Sequence, residues 1–119
     1  MTDRTLLRAG HVISMDTSVG ELPKGDVLIE DGRIAAVQPE ISADAEVLDM
    51  TGRIVIPGFV DTHAHLRVAS NIHRDVQWSY AVNLAYGVTT ARDPQTGATD
   101  VLSYDDEVRA GNVLGPRIY

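Results

Sequence analysis

His63 and His65 are the residues of this chain best placed to do chemistry. They flank Ala64 in the run Phe59-Val60-Asp61-Thr62-His63-Ala64-His65-Leu66, which reads as an extended strand. Strand alternation puts positions i and i+2 on one face, with Cα atoms ~6.5–7 Å apart. Two imidazoles at that spacing can converge on one ion at ~2.0–2.1 Å per Zn–N bond. Asp61 shares their parity, and a carboxylate there can accept an imidazole N–H or approach the ion itself. A bare His-x-His pair is more often an exposed coincidence than a site. Two histidines and an aspartate on one side of an apolar strand are, however, expensive to bury without a partner, and that context favours a metal. The chain has no Cys, which excludes thiolate ligands, disulfides, iron–sulfur clusters and cysteine nucleophiles together.

The elements around this segment change character at Ile56-Pro57-Gly58. Before it, short β-type runs alternate with turns: Thr5–Leu7 and Val12–Met15, broken at Ala9-Gly10, then Val27–Glu30, Arg33–Val37 and Glu46–Asp49. Asp31-Gly32 between two such runs is a strong hairpin signal, because a type I′ turn needs positive φ at both central residues. Residues 1–56 therefore read as a small antiparallel sheet or half-sandwich. After Gly58 the hydrophobic period lengthens from 2 to 3.6. Val76, Tyr80 and Leu84 predict a helix from Arg74 to Tyr86, stopped by Gly87, with Trp78 and Tyr80 as packing residues. Val88–Ala91 predicts a strand and Asp93–Gly97 a loop. A second helix capped by Thr99 or Asp100 carries Val101, Tyr104 and Val108 on one face and ends at Gly111. Pro116–Tyr119 opens another strand. Residues 57–119 thus read strand–helix–strand–helix–strand, the repeat of a parallel α/β fold.

Composition narrows the function classes. The 119 residues are 44% hydrophobic and 23% charged, a globular composition. No apolar run reaches the ~18–20 residues of a membrane span, and Thr5-Leu6-Leu7 is too short for a signal-peptide core. A formal net charge of −7 argues against nucleic acid and anionic membranes as partners. The expected location is cytoplasmic.

Four segments, in order, resemble the amidohydrolase superfamily of metal-dependent hydrolases. Gly25-Asp26-Val27-Leu28-Ile29-Glu30-Asp31-Gly32-Arg33-Ile34 is similar to the small β-sandwich that precedes the barrel in many members. Ile56-Pro57-Gly58-Phe59-Val60-Asp61-Thr62-His63-Ala64-His65 resembles the signature of the first barrel strand. Gly87-Val88-Thr89-Thr90-Ala91-Arg92-Asp93 and Gly115-Pro116-Arg117 resemble strands two and three of imidazolonepropionase-like and prolidase-like members. The resemblance implies part of a small β-sandwich over 1–56, then over 57–119 the first two to three βα units of a (β/α)8 TIM barrel, left incomplete. It implies that His63 and His65 are metal ligands, with Asp61 behind them and a divalent metal, zinc foremost, as cofactor. The implied reaction is hydrolysis of an amide, peptide or cyclic amide C–N bond in a small-molecule or peptide-like substrate. Arg67 has the parity of the histidines, and in dihydroorotase-like members an arginine at this place holds a substrate carboxylate; a solvated strand-end arginine is an equal alternative. His73, in the loop after the first strand, is a second candidate substrate contact beside the plainer reading of a loop histidine. Arg92 and Asp93 are expected to pair with each other or with neighbours.

The resemblance also defines what is missing. Such sites draw on a middle-strand Lys or Glu, two later histidines and a late aspartate that acts as general base. The sole Lys, Lys24, lies before the first barrel strand, and no His follows His73. No catalytic base is therefore assigned up to Tyr119. A TIM barrel takes ~250 residues, or about 31 per βα unit, so the 63 residues from 57 to 119 hold about two. The chain reads as the N-terminal portion of such an enzyme, inactive alone, with an open edge at Val88–Ala91 or Ile118–Tyr119. It is expected to self-associate or to dock on a missing remainder. The alternatives are a non-catalytic binding module and a split-enzyme subunit that reuses the same N-terminus.

Overall fold

The computed structural model describes residues 3–68 and 74–119. The chain forms two compact units, Met1–Pro57 and Gly58–Tyr119.

The first unit is one five-stranded sheet. Strand β1 (Arg4–Ile13) pairs antiparallel with β2 (Glu21–Glu30), and β2 pairs antiparallel with β3 (Arg33–Gln38). The β2–β3 turn is Asp31-Gly32, with φ of 49° and 72°, the positive-φ pair expected there. Two expectations are corrected. Ala9-Gly10 does not break β1 into two strands; the register with β2 shifts between Leu7 and Gly10 while the strand continues. The Asp26 carboxylate makes this irregularity tolerable by accepting the N–H of Ala9 at 2.8 Å and that of Ile41 at 2.9 Å. Nor is the sheet purely antiparallel: β4 (Glu46–Asp49) and β5 (Ile54–Val55) both run parallel to β1. They share one edge of β1 and are interrupted by Met50–Arg53, where Met50 N–H donates to Arg8 and His11 N–H to Arg53. Leu6, Leu28 and Ile41 form the core, filled out by Ala36, Ala43 and Ala45.

The second unit is a three-stranded parallel sheet in the order β6 (Phe59–Asp61), β7 (Val88–Ala91), β8 (Arg117–Ile118). Helix α1 (Trp78–Ala85) lies between β6 and β7 in sequence, and α2 (Ala98–Ala110) between β7 and β8. Because β7 is central, the edges among the described residues are β6 and β8: of the two places expected for an open edge, Val88–Ala91 is paired on both sides, whereas Ile118 lies on the β8 edge, and Phe59–Asp61 forms the other. Tyr80 and Tyr104, each fully buried, meet edge to face with ring centroids 6.0 Å apart. They pack with Leu66, Ala91, Val101 and Ile118.

Helix α1 starts four residues later than the spacing predicts. Gln77 is its extended N-cap residue, and instead of capping it sends its side-chain amide to the Tyr104 hydroxyl at 2.5 Å. The Arg74 N–H donates to the same hydroxyl at 3.2 Å, which holds this stretch outside the helix. Val76 therefore contributes nothing to a helical face, and Trp78 is 78% exposed rather than packed. Helix α2 is capped by Gly97 rather than Thr99 or Asp100. Asp100 sits in its first turn, where a negative charge favours the helix dipole, and Gly111 closes it at φ 80°.

Candidate functional site

The candidate site lies just past the ends of β6 and β7. The β6 ladder ends at Asp61, so the strand does not extend to Leu66 as its apolar run suggests. The backbone nevertheless stays fastened to its neighbour. Arg92 N–H donates to Asp61 O at 2.8 Å, and Ala64 N–H donates to Arg92 O at 2.8 Å. The two-residue alternation survives: Ala64 and Leu66 are buried, while His63, His65 and Arg67 are exposed.

The two imidazoles meet as their spacing predicts, although they lie beyond the strand. His63 Nε2 and His65 Nε2 are 3.1 Å apart, with ring centroids at 5.1 Å. Asp61 Oδ1 accepts the backbone N–H of His63 at 3.0 Å, an Asx-type turn that directs the chain off the strand. The carboxylate thus serves the main chain rather than an imidazole N–H. On the other side, His65 Nδ1 is 2.5 Å from Gln95 Oε1.

Asp93 joins the two loops. It is 6% exposed. Its Oδ1 accepts the N–H groups of Gln95 at 2.9 Å and Thr96 at 3.1 Å. Its Oδ2 accepts the Thr96 hydroxyl at 2.6 Å and the Leu66 N–H at 3.2 Å. Burial works to raise the Asp93 pKa, but the Thr96 hydroxyl and the three N–H donors outweigh it and hold the carboxyl below its ordinary value. Asp93 therefore pairs with loop backbone and Thr96, and Arg92 is exposed. Neither Gln95 nor Asp93 was singled out as a site residue by sequence; their partners are 27 to 30 positions away, and no local pattern marks such a contact.

Arg67 sits at φ 50° and lines a surface hollow with His65, Arg74, Gln77 and Trp78. His73 lies outside the described residues. Among the described residues no group of three or more His, Cys, Asp or Glu gathers around one point, and the described imidazoles that meet are the pair His63–His65. It suits an ion on distance. Neighbouring donors on a tetrahedral ion with ~2.0–2.1 Å bonds lie about 3.3 Å apart, close to the observed 3.1 Å.

Residues 46–112 match the family model described as "Amidohydrolase family". The 5′-deoxyadenosine deaminase of Methanococcoides burtonii is 44% identical over 61 residues, covering 50% of this chain and 14% of the deaminase. A dihydroorotase of Carboxydothermus hydrogenoformans is 37% identical over 86 residues, covering 71% of this chain and 20% of that protein. Among solved structures, a putative prolidase from Bifidobacterium longum superposes with a TM-score of 0.70 at 29% identity, over 98% of this chain and 29% of its own. The chain thus spans a fifth or less of these curated relatives and under a third of the solved one.

Proposed function

The chain belongs to the amidohydrolase family, and from that premise we propose that His63 and His65 are the first two ligands of a divalent metal, zinc foremost, in a hydrolase that cleaves C–N bonds. The observation that carries this is the approach of the two Nε2 atoms to 3.1 Å at the end of a parallel strand, where open α/β sheets place their ligands. The names of the relatives, a deaminase, a dihydroorotase and a prolidase, support a small-molecule or peptide-like substrate. A bound divalent ion would polarise the scissile carbonyl and supply hydroxide near neutral pH. The chain's own residues would orient that ion: His63 is held through the Asp61 turn and His65 through the β7–α2 loop. Arg67, exposed beside His65, would hold an anionic group of the substrate, since a guanidinium can grip a carboxylate with two parallel bonds.

The three parallel strands and two helices are proposed as the opening units of a (β/α)8 barrel, and the five-stranded sheet as part of a small β-sandwich. An apolar groove of about 370 Å³ on that sheet, lined by Val12, Val27, Val37 and Val55 among others, supports the second assignment because a sandwich half carries an apolar face for its partner sheet. Two imidazoles alone hold an ion weakly.

The test is a zinc titration of the chain by calorimetry, beside His63→Ala and His65→Ala. Each substitution is expected to weaken binding at least about tenfold, because it removes one of two donors. Binding of equal strength in all three proteins would remove the ligand assignment.

A further inference from the structure

Gln95 makes an unusual contact for an exposed loop residue: its side-chain carbonyl lies 2.5 Å from a ring nitrogen of His65. We infer that Gln95 is a positioning residue that fixes His65 as its Nδ1–H tautomer, so that the Nε2 lone pair faces His63. The inference rests on the ligand roles proposed above for what the tautomer is for, but not for the tautomer itself.

A carboxamide oxygen has no proton to give, so the imidazole nitrogen opposite it donates. A neutral imidazole carries one N–H, which leaves His65 Nε2 as an acceptor. The atom facing it at 3.1 Å is His63 Nε2. That lone pair points to the gap between the two rings, where an ion held by both would sit.

Both ends of the Gln95–His65 bond are pinned to one carboxylate. Asp93 Oδ1 holds the Gln95 N–H at 2.9 Å, and Asp93 Oδ2 holds the N–H of Leu66, the residue after His65, at 3.2 Å. The donor and acceptor of the bond thus belong to two loops that cannot separate without leaving the buried Leu66 N–H unpaired. An acceptor on the distal ring nitrogen orients an imidazole ligand and raises its basicity, and loss of such a partner typically costs ~10- to 100-fold in metal affinity.

The experiment is nitrogen-edited NMR of the histidine rings in the full chain, metal-free, about two pH units above the ordinary imidazole pKa of ~6.5. The wild-type chain is expected to show His65 as Nδ1–H. Gln95→Ala should release His65 to the Nε2–H form, and Gln95→Glu, whose carboxylate also accepts, should restore Nδ1–H. Zinc affinity should fall at least about tenfold in Gln95→Ala. A wild-type His65 in the Nε2–H form, or a His65 tautomer indifferent to Gln95→Ala, overturns the inference. If the tautomers follow the expected order while zinc ignores His63→Ala and His65→Ala, the positioning role stands and the metal assignment falls.

Discussion

Replacing Asp93 with asparagine keeps the shape of the side chain and removes its charge and half of its accepting capacity. The wild-type carboxylate receives four donors, two on each oxygen. In Asp93→Asn the less costly amide orientation keeps the oxygen toward the N–H groups of Gln95 and Thr96. The NH2 then faces Thr96 Oγ1, which can rotate to accept, and the Leu66 N–H, which cannot. A buried N–H left unpaired costs about 1–3 kcal/mol, and each remaining bond loses about 1 kcal/mol as it passes from charge-assisted to neutral. The expected destabilisation is about 4–6 kcal/mol, or a melting temperature lower by more than about 15 °C in a unit of this size. The pH dependence supplies a second reading. The folded carboxyl has a pKa below its ordinary 3.8, so its stabilisation is fully present above that value and is lost as pH falls through the folded pKa. The gap between wild type and Asp93→Asn should be constant from pH ~7 to ~5 and close below ~3.8. Urea unfolding followed by tyrosine and tryptophan fluorescence at stepped pH measures both. A gap under about 1 kcal/mol, or one that does not close in acid, would refute the role assigned to Asp93.

Two further outcomes test the packing and the open edge. Gly115→Ala would place a Cβ 2.6 Å from Tyr80 Cδ2 and 3.0 Å from Val108 Cγ2; with Tyr80 fully buried, denaturant unfolding should show a loss of about 1–3 kcal/mol, and a wild-type midpoint would mean that the Tyr80 ring gives way freely. The expected self-association is tested at Val60, 63% exposed on the β6 edge: sedimentation velocity should find oligomers of the wild-type chain and smaller species for Val60→Lys, since an edge lysine opposes strand pairing, and a wild-type monomer or an unchanged distribution would refute pairing through this edge.

What the sequence revealed follows from the range of the interactions. The Asp31-Gly32 turn was legible because its positive φ values are a local demand met by local residue types. Tyr104 and Val101 on one face of α2 were legible for the same reason. The Ala9-Gly10 irregularity was visible but misread. A turn-like dipeptide ends a strand only if nothing supplies its backbone donors, and Asp26, 17 positions away, does so for Ala9. The parallel pairing of β4 and β5 with β1 joins positions more than 40 apart, beyond any local pattern. Trp78 was misplaced because its apolar character was read as burial, whereas helix α1 begins at that residue and turns it outward.

The histidine pair teaches something more specific, because an expectation about strand geometry held outside the strand. His63 and His65 lie past the last β6–β7 ladder position, yet they still point to one side. The reason is that alternation depends on an extended backbone with anchored main-chain groups, and those anchors persist after the strand assignment stops. Arg92 supplies two of them, to Asp61 and Ala64. The Asp93 carboxylate supplies the next, to Leu66, and Asp93 N–H reaches Tyr119 O at 3.0 Å, just past the end of β8. Ala64 and Leu66 stay buried because these bonds hold them against the sheet, and their burial forces the intervening His65 outward. A parallel sheet makes this possible, since its strands end on the same side and the loops leaving them are neighbours. The same arrangement lets Gln95, from the loop after β7, reach a histidine from the segment after β6. The H-x-H spacing thus brings the two rings together, and Gln95 of the adjacent loop sets which nitrogen of His65 carries the proton.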